Sequence, residues 1–197
     1  MAHIVRILIT ILVLFLAFKL KTKICRSRLK QIILFVISFA VIICLVLFPI
    51  ENIFVTFKTP ESIFNYVSSG NLIDTIYGKD SCLFVYSKAG GVISYEFALK
   101  TNDGYKMTDH FNPKKVSSKF DPTAHFDVYQ IRDTSDYYVI GSVNGGSTDY
   151  ILYDASAEEV RIDLHVINER SGLVAFVLDE FKPDYYFLVN NVKVPIA

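Results

Sequence analysis

The strongest constraint on this chain is an uncharged run of 19 residues, Ile32–Ile50. As a helix rising ~1.5 Å per residue, this run would extend ~28 Å, close to the ~30 Å hydrocarbon thickness of a bilayer. Polar residues do not recur along it at helical spacing, so the helix would have no face for water and would lie in lipid or in a protein core. The basic residues that flank it favour lipid. The run therefore predicts a transmembrane helix over about residues 31–50.

A shorter apolar segment, Ile4–Phe18, precedes this run. Its uninterrupted part lies between Arg6 and Lys19, whose long side chains can carry their charges to the membrane interfaces. A secretory signal peptide is the alternative, but no small-residue cleavage site follows the segment. We expect an uncleaved transmembrane helix over about residues 4–20.

The connection between the two segments, residues 19–30, is strongly basic and contains no acid. Its basic residues are Lys19, Lys21, Lys23, Arg26, Arg28 and Lys30. Short loops with an excess of Lys and Arg stay on the cytoplasmic side of a membrane. The sequence thus predicts a transmembrane helical hairpin over residues 1–50, with two spans in a cell membrane. Residues 51–197 would then form an extracytoplasmic domain.

The charge distribution agrees with this division. The formal net charge of the 197-residue chain is zero, but residues 1–50 carry seven basic residues and no acid. Residues 51–197 carry 13 basic and all 20 acidic residues, a net charge of −7. The balance argues against a nucleic-acid-binding protein, which usually has a strongly basic domain. The expected partners are the lipid bilayer and another envelope protein or a cell-wall component.

Residues 51–197 have the pattern of a mainly antiparallel β domain. Thr59-Pro60-Glu61 is typical of a helix start, since Thr can cap the helix and Pro fits its first position. Leu72–Tyr77 suggests a second helical turn, and residues 109–124 suggest a polar loop. We expect strands over the following ranges: Glu51–Phe57, Cys82–Tyr86, Val92–Leu99, Tyr105–Thr108, Phe126–Arg132, Tyr137–Val143, Tyr150–Asp154, Val160–Val166, Leu173–Leu178, Tyr185–Val189 and Val192–Ile196.

Strands at this spacing, with Gly-containing turns such as Val143–Ser147, are typical of a β-sandwich or open barrel. An α+β domain with one short helix on a curved sheet is the alternative. The three cysteines fall in different predicted compartments, and the chain has no Asn-x-Ser/Thr sequon. These two features favour a bacterial membrane protein whose external domain does without disulfides.

Two His/Asp pairs are the strongest candidates for chemistry. His125 and Asp127, and likewise Asp163 and His165, are two residues apart, which places each pair on one face of a strand. If the two strands were neighbours, the four groups could form a zinc-type site. The simpler interpretation is a solvated polar face with cross-strand His–Asp contacts. No motif for a catalytic nucleophile or a phosphate-binding loop is present, so we expect no cofactor and no catalytic residue.

Tyrosine is the enriched residue of the external domain. In Tyr137-Tyr138 and Tyr185-Tyr186, one ring of each pair should enter the core and the other should lie near the surface, where it could bind a glycan or a protein. The high propensity of tyrosine for β-strands explains the same residues without a binding role. We expect a non-enzymatic binding or interaction module at the cell envelope. The alternatives are an envelope hydrolase with a His/Asp metal site and a small accessory subunit of a membrane complex.

Overall fold

The computed structural model describes residues 2–23, 27–109, 111–122, 124–143, 150–189 and 192–196. The helices in these ranges are α1 (Ala2–Lys23), α2 (Arg28–Leu47) and α3 (Pro60–Val67), with 3₁₀ turns at Ile50–Ile53 and Glu169–Ser171. The strands are β1 (Asn71–Tyr77), β2 (Ser81–Ser87), β3 (Ile93–Thr101), β4 (Gly104–Met107), β5 (Lys114–Asp121), β6 (Ala124–Gln130), β7 (Tyr137–Val143), β8 (Leu152–Tyr153), β9 (Glu159–Val160), β10 (His165–Asn168), β11 (Leu173–Leu178), β12 (Tyr186–Val189) and β13 (Val192–Pro195).

The strands form three antiparallel sheets. Sheet I has the order β1-β2-β3-β4, sheet II the order β10-β11-β7-β6-β5, and sheet III the order β13-β12-β8-β9. The predicted class, a mainly antiparallel β fold, is confirmed in this form. The single short helix of the predicted alternative is also present as α3, which packs on one of the sheets.

The sheets are stacked, and each interface between layers has its own core. Side chains of α3, including Ile63 and Phe64, pack on the outer face of sheet I. The other face of sheet I, including Leu83 and Val85, packs on sheet II. The far face of sheet II packs on sheet III, and the largest side chains there are Phe126 and Phe176 of sheet II and Phe187 of sheet III. Sheets I and II therefore each have apolar residues on both faces, which explains the uninterrupted apolar sequence of β2 and β11.

Local sequence explains why α3 begins where it does. Thr59 is the N-cap residue, and its hydroxyl accepts a hydrogen bond from the backbone N–H of Ser62. The Ser62 hydroxyl in turn accepts from the backbone N–H of Thr59, which completes a capping box, and Pro60 occupies the first helical position. The predicted helix start at Thr59-Pro60-Glu61 is confirmed.

Three predicted elements were wrong. Residues 51–57 do not form a strand: they begin with the 3₁₀ turn, and the side chain of Asn52 exchanges two hydrogen bonds with the backbone of Met107, as a neighbouring strand would. Residues 72–77 belong to β1 rather than to a helical turn, because Ile76 is buried between sheets I and II. Residues 109–124 contain β5, an edge strand of sheet II that is exposed and charged. Its sequence has no alternation of apolar and polar residues that would indicate a strand.

The first two helices differ from expectation in their lengths. They run further into the basic connection than predicted, α1 to Lys23 and α2 from Arg28. They pack against each other. Among the described residues, one helix is long and apolar enough to cross a membrane, Arg28–Leu45, with a mean hydropathy of 2.2 and 6% of its residues buried. The two-span hairpin, and its place in a membrane, stay predictions.

Candidate functional site

The most developed polar cluster on the surface surrounds Asp127 on β6. Its carboxylate accepts a hydrogen bond from the Ser118 hydroxyl at 2.6 Å and from the ammonium of Lys115 at 2.8 Å. The Tyr129 hydroxyl donates to it at 3.4 Å, and Nε2 of His125 lies 3.3 Å from it. We call this cluster, together with the neighbouring Phe120, the Asp127 patch. It joins β5 and β6 on the face of sheet II that is turned towards sheet I.

A β-bulge assembles the Asp127 patch. The pairing of β5 with β6 shifts between Lys115 and Ser117, so that Lys115 is opposite Tyr129 whereas Ser118 is opposite Asp127. Without the extra residue, Lys115 and Ser118 would point to opposite faces of the strand, because side chains alternate. The bulge turns both side chains to the carboxylate, while Ser117 points the other way and donates to the backbone carbonyl of Ile196.

Hydrogen bonds between the side chains of the patch stabilise the charged forms of Asp127 and Lys115. Burial acts to raise the pKa of Asp127, but the hydrogen bonds from Lys115 and Ser118 outweigh it, and the net effect is a lowered pKa. The hydrogen bond to Asp127 raises the pKa of Lys115. Burial, together with the charge of Asp127, raises the pKa of Tyr129. At neutral pH the carboxylate is therefore ionised, the lysine is charged and the tyrosine is neutral.

These protonation states suit binding better than proton transfer. A general acid or base works best with a pKa near the working pH, and the shifts of Asp127, Lys115 and Tyr129 all lead away from neutrality. The patch is also open to solvent: the side chains of Lys115 and His125 are each 43% exposed. Phe120 is 79% exposed and its ring lies 6.0 Å from that of His125. The cluster thus offers an apolar ring beside positive and negative hydrogen-bonding groups.

The two predicted His/Asp pairs do not come together. His165 is on β10, and two strands, β11 and β7, lie between β10 and β6. The paired positions His165, Ala175, Ile140 and Asp127 form one row across sheet II, so His165 and Asp127 are three strand spacings apart, about 14 Å. The two His/Asp pairs are thus too far apart to bind one metal ion, and the hypothesis of a four-ligand site is wrong. In the part of the chain that the structure describes, no group of three or more His, Cys, Asp or Glu could hold a metal ion.

His165 instead connects two sheets. Its Nδ1 lies 2.7 Å from Oδ2 of Asp74 on β1, at the edge of sheet I. Asp163 precedes β10 and its side chain is 92% exposed, 3.7 Å from Nε2 of the same histidine. The pair His165–Asp74 therefore acts at the junction between sheets I and II, far from the Asp127 patch.

The four tyrosines proposed for binding are mostly internal. Tyr138 is fully buried and Tyr137 is half-buried against Phe181, as expected for one ring on each face of β7. Tyr185 and Tyr186 are both buried, contrary to the expected surface ring. Tyr186 points away from the core of sheet III, but it is covered by Tyr153, which stacks on it, and by Lys193, whose ammonium lies 4.3 Å from the ring centroid.

Sequence reasoning missed a buried carboxylate, Asp136. It is fully buried and accepts hydrogen bonds from the backbone N–H groups of Lys79 and Asp80 and from the hydroxyl of Ser81. The Ser81 hydroxyl is also 3.0 Å from that of Tyr138. Asp136 precedes β7 in sheet II, so these hydrogen bonds connect the β1–β2 turn of sheet I to sheet II. A polar residue before a strand is typical of any turn, and the sequence therefore held no signal for this role.

Cys82 does not have the environment of a nucleophile. It is fully buried between α3 and sheet I, and burial raises the pKa of its thiol to about 12. A reactive cysteine has a lowered pKa and some access to solvent. Its environment is that of a structural thiol.

The predicted topology residues lie at one end of the helix pair. Lys19, Lys21 and Lys23 belong to the last part of α1, while Arg28 and Lys30 belong to the first turn of α2. Arg26 and Cys25 are outside the described residues, as are residues 144–147 of the predicted turn Val143–Ser147. At the other end of the pair, Arg6 of α1 makes two hydrogen bonds to Glu51, which follows α2.

The fold and the Asp127 patch together define a stacked antiparallel β domain with a polar surface cluster and a pair of apolar N-terminal helices. Comparisons with known protein families, with curated proteins and with solved structures found no match. What the chain does must therefore be inferred from its own geometry.

Proposed function

We propose that this protein is a membrane-anchored, non-enzymatic binding module of the bacterial cell envelope. In this proposal α1 and α2 lie in the bilayer and residues 51–197 are extracytoplasmic. The Asp127 patch binds another envelope protein or a cell-wall component. The alternative is an accessory subunit that binds a membrane complex through its helix pair alone. That role would leave the surface cluster on the domain without a function.

The proposal of a membrane anchor rests on the distribution of exposed apolar side chains. Large apolar residues are exposed along nearly the whole length of α1 and α2, with Phe18 and Phe35 at 68% and 71%. Those of the β domain are mostly buried in its three cores. A soluble protein rarely leaves a continuous apolar surface of this extent open to water, whereas a bilayer removes it from water.

The charges support an orientation in which the short connection between α1 and α2 is cytoplasmic. Its basic residues belong to a segment, residues 1–50, that contains no acid. Glu51, the first acid of the chain, follows α2 and pairs with Arg6, so the opposite end of the helix pair adjoins the domain. The positive-inside rule then places the domain outside.

Two cysteine reporters test the orientation. One chain keeps only Cys25, and a second replaces all three native cysteines and carries Lys100→Cys on the exposed surface of β3. A membrane-impermeant maleimide added to intact cells should label the Lys100→Cys chain, and it should label the Cys25 chain only after lysis. Labelling of Cys25 in intact cells, without labelling at position 100, would reverse the proposed topology.

Site-specific photocrosslinking tests the binding surface. A benzophenone amino acid at Phe120, in the Asp127 patch, should give a discrete crosslinked band in cells. The same residue at Val92, which is 61% exposed on the β2–β3 turn, is the matched control and should give none. Loss of the Phe120 band in a Lys115→Gln/Asp127→Asn chain would tie the contact to the patch. Equal crosslinking at both positions would contradict the proposal.

A further inference from the structure

A cleft between α1 and α2 has a composition that the anchor alone does not require. It has a volume of about 650 Å³, within the range of ligand pockets. Its walls are apolar along α1 and α2, with Leu14 and Phe18 facing Phe35 and Ile42. Among the described residues, two charged ones also line it, Lys21 and Arg28, and both are positive; the polar Gln31 lies one turn after Arg28.

The two charges lie at one end of the cleft. Lys21 is near the end of α1 and Arg28 is the first residue of α2, so both adjoin the connection between the helices. From Arg28 to Ile42 the helix rises roughly 21 Å, which exceeds the ~15 Å depth of one hydrocarbon leaflet and leaves Arg28 room to reach the interface. The cleft therefore runs from a cationic mouth into a region of apolar side chains.

Among the described residues of this wall, the one hydroxyl is already engaged. Ser38 is buried between the helices, and its hydroxyl donates to the backbone carbonyl of Leu34 at 2.9 Å. Below the mouth, Ser38 thus presents a satisfied hydroxyl, and the side chains around it are hydrocarbon. An occupant must be apolar over most of its length and anionic at one end.

We propose that this cleft binds one anionic phospholipid of the cytoplasmic leaflet. Its phosphate lies between Lys21 and Arg28, and one acyl chain follows Phe18 and Phe35 into the cleft. A second copy of the chain fits the cleft less well. In the same membrane orientation it would bring its own cations to the same depth, against Lys21 and Arg28. The inference rests on the proposed function, because it needs the helix pair to lie in a bilayer.

Native mass spectrometry of the full chain, purified in mild detergent, tests the site. With equal amounts of a phosphatidylglycerol and a phosphatidylcholine of identical acyl chains, we expect roughly tenfold greater retention of the phosphatidylglycerol, since two basic residues contact the headgroup. Lys21→Gln/Arg28→Gln should abolish this preference. Lys88→Gln/Lys100→Gln, which removes two charges from the β domain, should leave it unchanged.

A second variant tests the apolar part of the cleft. Ala17→Phe fills the space beside Phe18 and should reduce retention of both lipids, with the far-ultraviolet circular dichroism of the chain unchanged. Equal retention of the two lipids by the native chain would overturn the inference. A dimer without bound lipid would also overturn it and would assign the cleft to a second copy.

The failure of the anchor is distinguishable from the failure of the lipid site. Membranes from the same cells are washed with alkaline carbonate before solubilisation. A chain that leaves the membrane in this wash contradicts the proposed anchor and the lipid site with it. A chain that stays in the membrane but shows no headgroup preference contradicts the lipid site alone.

Discussion

Arg6, near the start of α1, and Glu51, just after α2, meet at one end of the helix pair although they are 45 residues apart in sequence. The guanidinium donates from Nε to one carboxylate oxygen at 2.9 Å and from its terminal nitrogen to the other at 3.3 Å. The Glu51 side chain is 5% exposed and that of Arg6 is 25% exposed. A buried carboxylate without its partner keeps its desolvation cost and loses the compensating charge.

Arg6→Gln, which leaves the buried Glu51 carboxylate without its partner, should therefore destabilise the full chain by roughly 1–3 kcal/mol, less than the ~3–5 kcal/mol of a fully buried pair, since Arg6 itself reaches solvent. Glu51→Gln should destabilise it less, because it removes the buried charge itself. For a chain of this length, each kcal/mol corresponds to about 2–4 °C in Tm. Thermal unfolding in detergent of the native chain, both single variants and Arg6→Gln/Glu51→Gln measures the coupling. The double variant should lose less than the sum of the singles.

The control for this cycle is an exposed pair, Lys182 and Glu180, whose charged atoms are 3.6 Å apart. Lys182→Gln should change stability by no more than about 0.5 kcal/mol. Strict additivity of Arg6→Gln and Glu51→Gln would show that the two side chains do not stabilise each other.

Asp136 should make a larger contribution than any surface acid. Asp136→Ala leaves the backbone N–H groups of Lys79 and Asp80 and the Ser81 hydroxyl without their acceptor inside the protein. Hydrogen bonds to a charged group contribute ~1.5–3 kcal/mol each, and their effects overlap, so we expect a loss of roughly 3–5 kcal/mol. Thermal unfolding measures the loss, and faster amide exchange at residues 79 and 80 localises it to the β1–β2 turn.

The matched control is Asp184→Ala, at an exposed position in a turn. It should leave both the unfolding temperature and the exchange of the β1–β2 turn unchanged. If Asp136→Ala behaved in the same way, the buried carboxylate would have no part in joining sheets I and II.

The strands best predicted from sequence are those in the middle of the stack. The predicted ranges for β7 and β11 agree with the structure at both ends. Both strands are interior strands of sheet II, which is covered on both faces, so burial imposes a continuous apolar pattern. β5 is an edge strand, and it carries Lys114, Lys115 and Lys119, as edges exposed to solvent often do. Its sequence therefore resembles a loop.

Only the part of the site that depends on spacing within one strand was predictable from the sequence. The spacing of His125 and Asp127 placed both on one face of a strand, and their atoms are indeed 3.3 Å apart. Lys115 and Ser118 reach Asp127 through a bulge, and no local pattern indicates which residue is the extra one. The separation of His165 from Asp127 depends on strand order, which is set by pairing between distant segments.

The contact between His165 and Asp74 should stabilise the junction of sheets I and II modestly. Both side chains are partly exposed, 24% and 35%, so water screens their attraction. A double-mutant cycle with His165→Ala and Asp74→Ala should give a coupling of about 0.5–1 kcal/mol, measured by thermal unfolding. Asp163→Ala, which removes a carboxylate that is 92% exposed and 3.7 Å from the same ring, should change stability by less than ~0.5 kcal/mol. A larger effect at Asp163 than at Asp74 would contradict this assignment.

Alkaline pH should reveal the buried thiol of Cys82. Burial raises its pKa from 9.0 to about 12, so the folded chain keeps a proton that the unfolded chain releases above pH 9. The stabilisation is complete below pH 9 and is lost as pH rises towards 12, by up to about 1.4 kcal/mol per pH unit. Burial also raises the pKa of Tyr95, from 10.0 to about 12, which adds a loss in the same direction above pH 10.

Cys82→Ala separates the thiol from the tyrosines. The native chain should lose unfolding temperature from pH 9 upwards, whereas Cys82→Ala should begin to lose it only above pH 10, where Tyr95 and Tyr138, whose pKa burial also raises, contribute. The comparison uses the slopes, because removing the buried sulfur lowers stability at every pH by creating a small cavity. Parallel curves for the two chains would show that the thiol titrates normally. Rapid alkylation of Cys82 in the folded chain at pH 7.5 would be equally inconsistent with a thiol that burial keeps protonated.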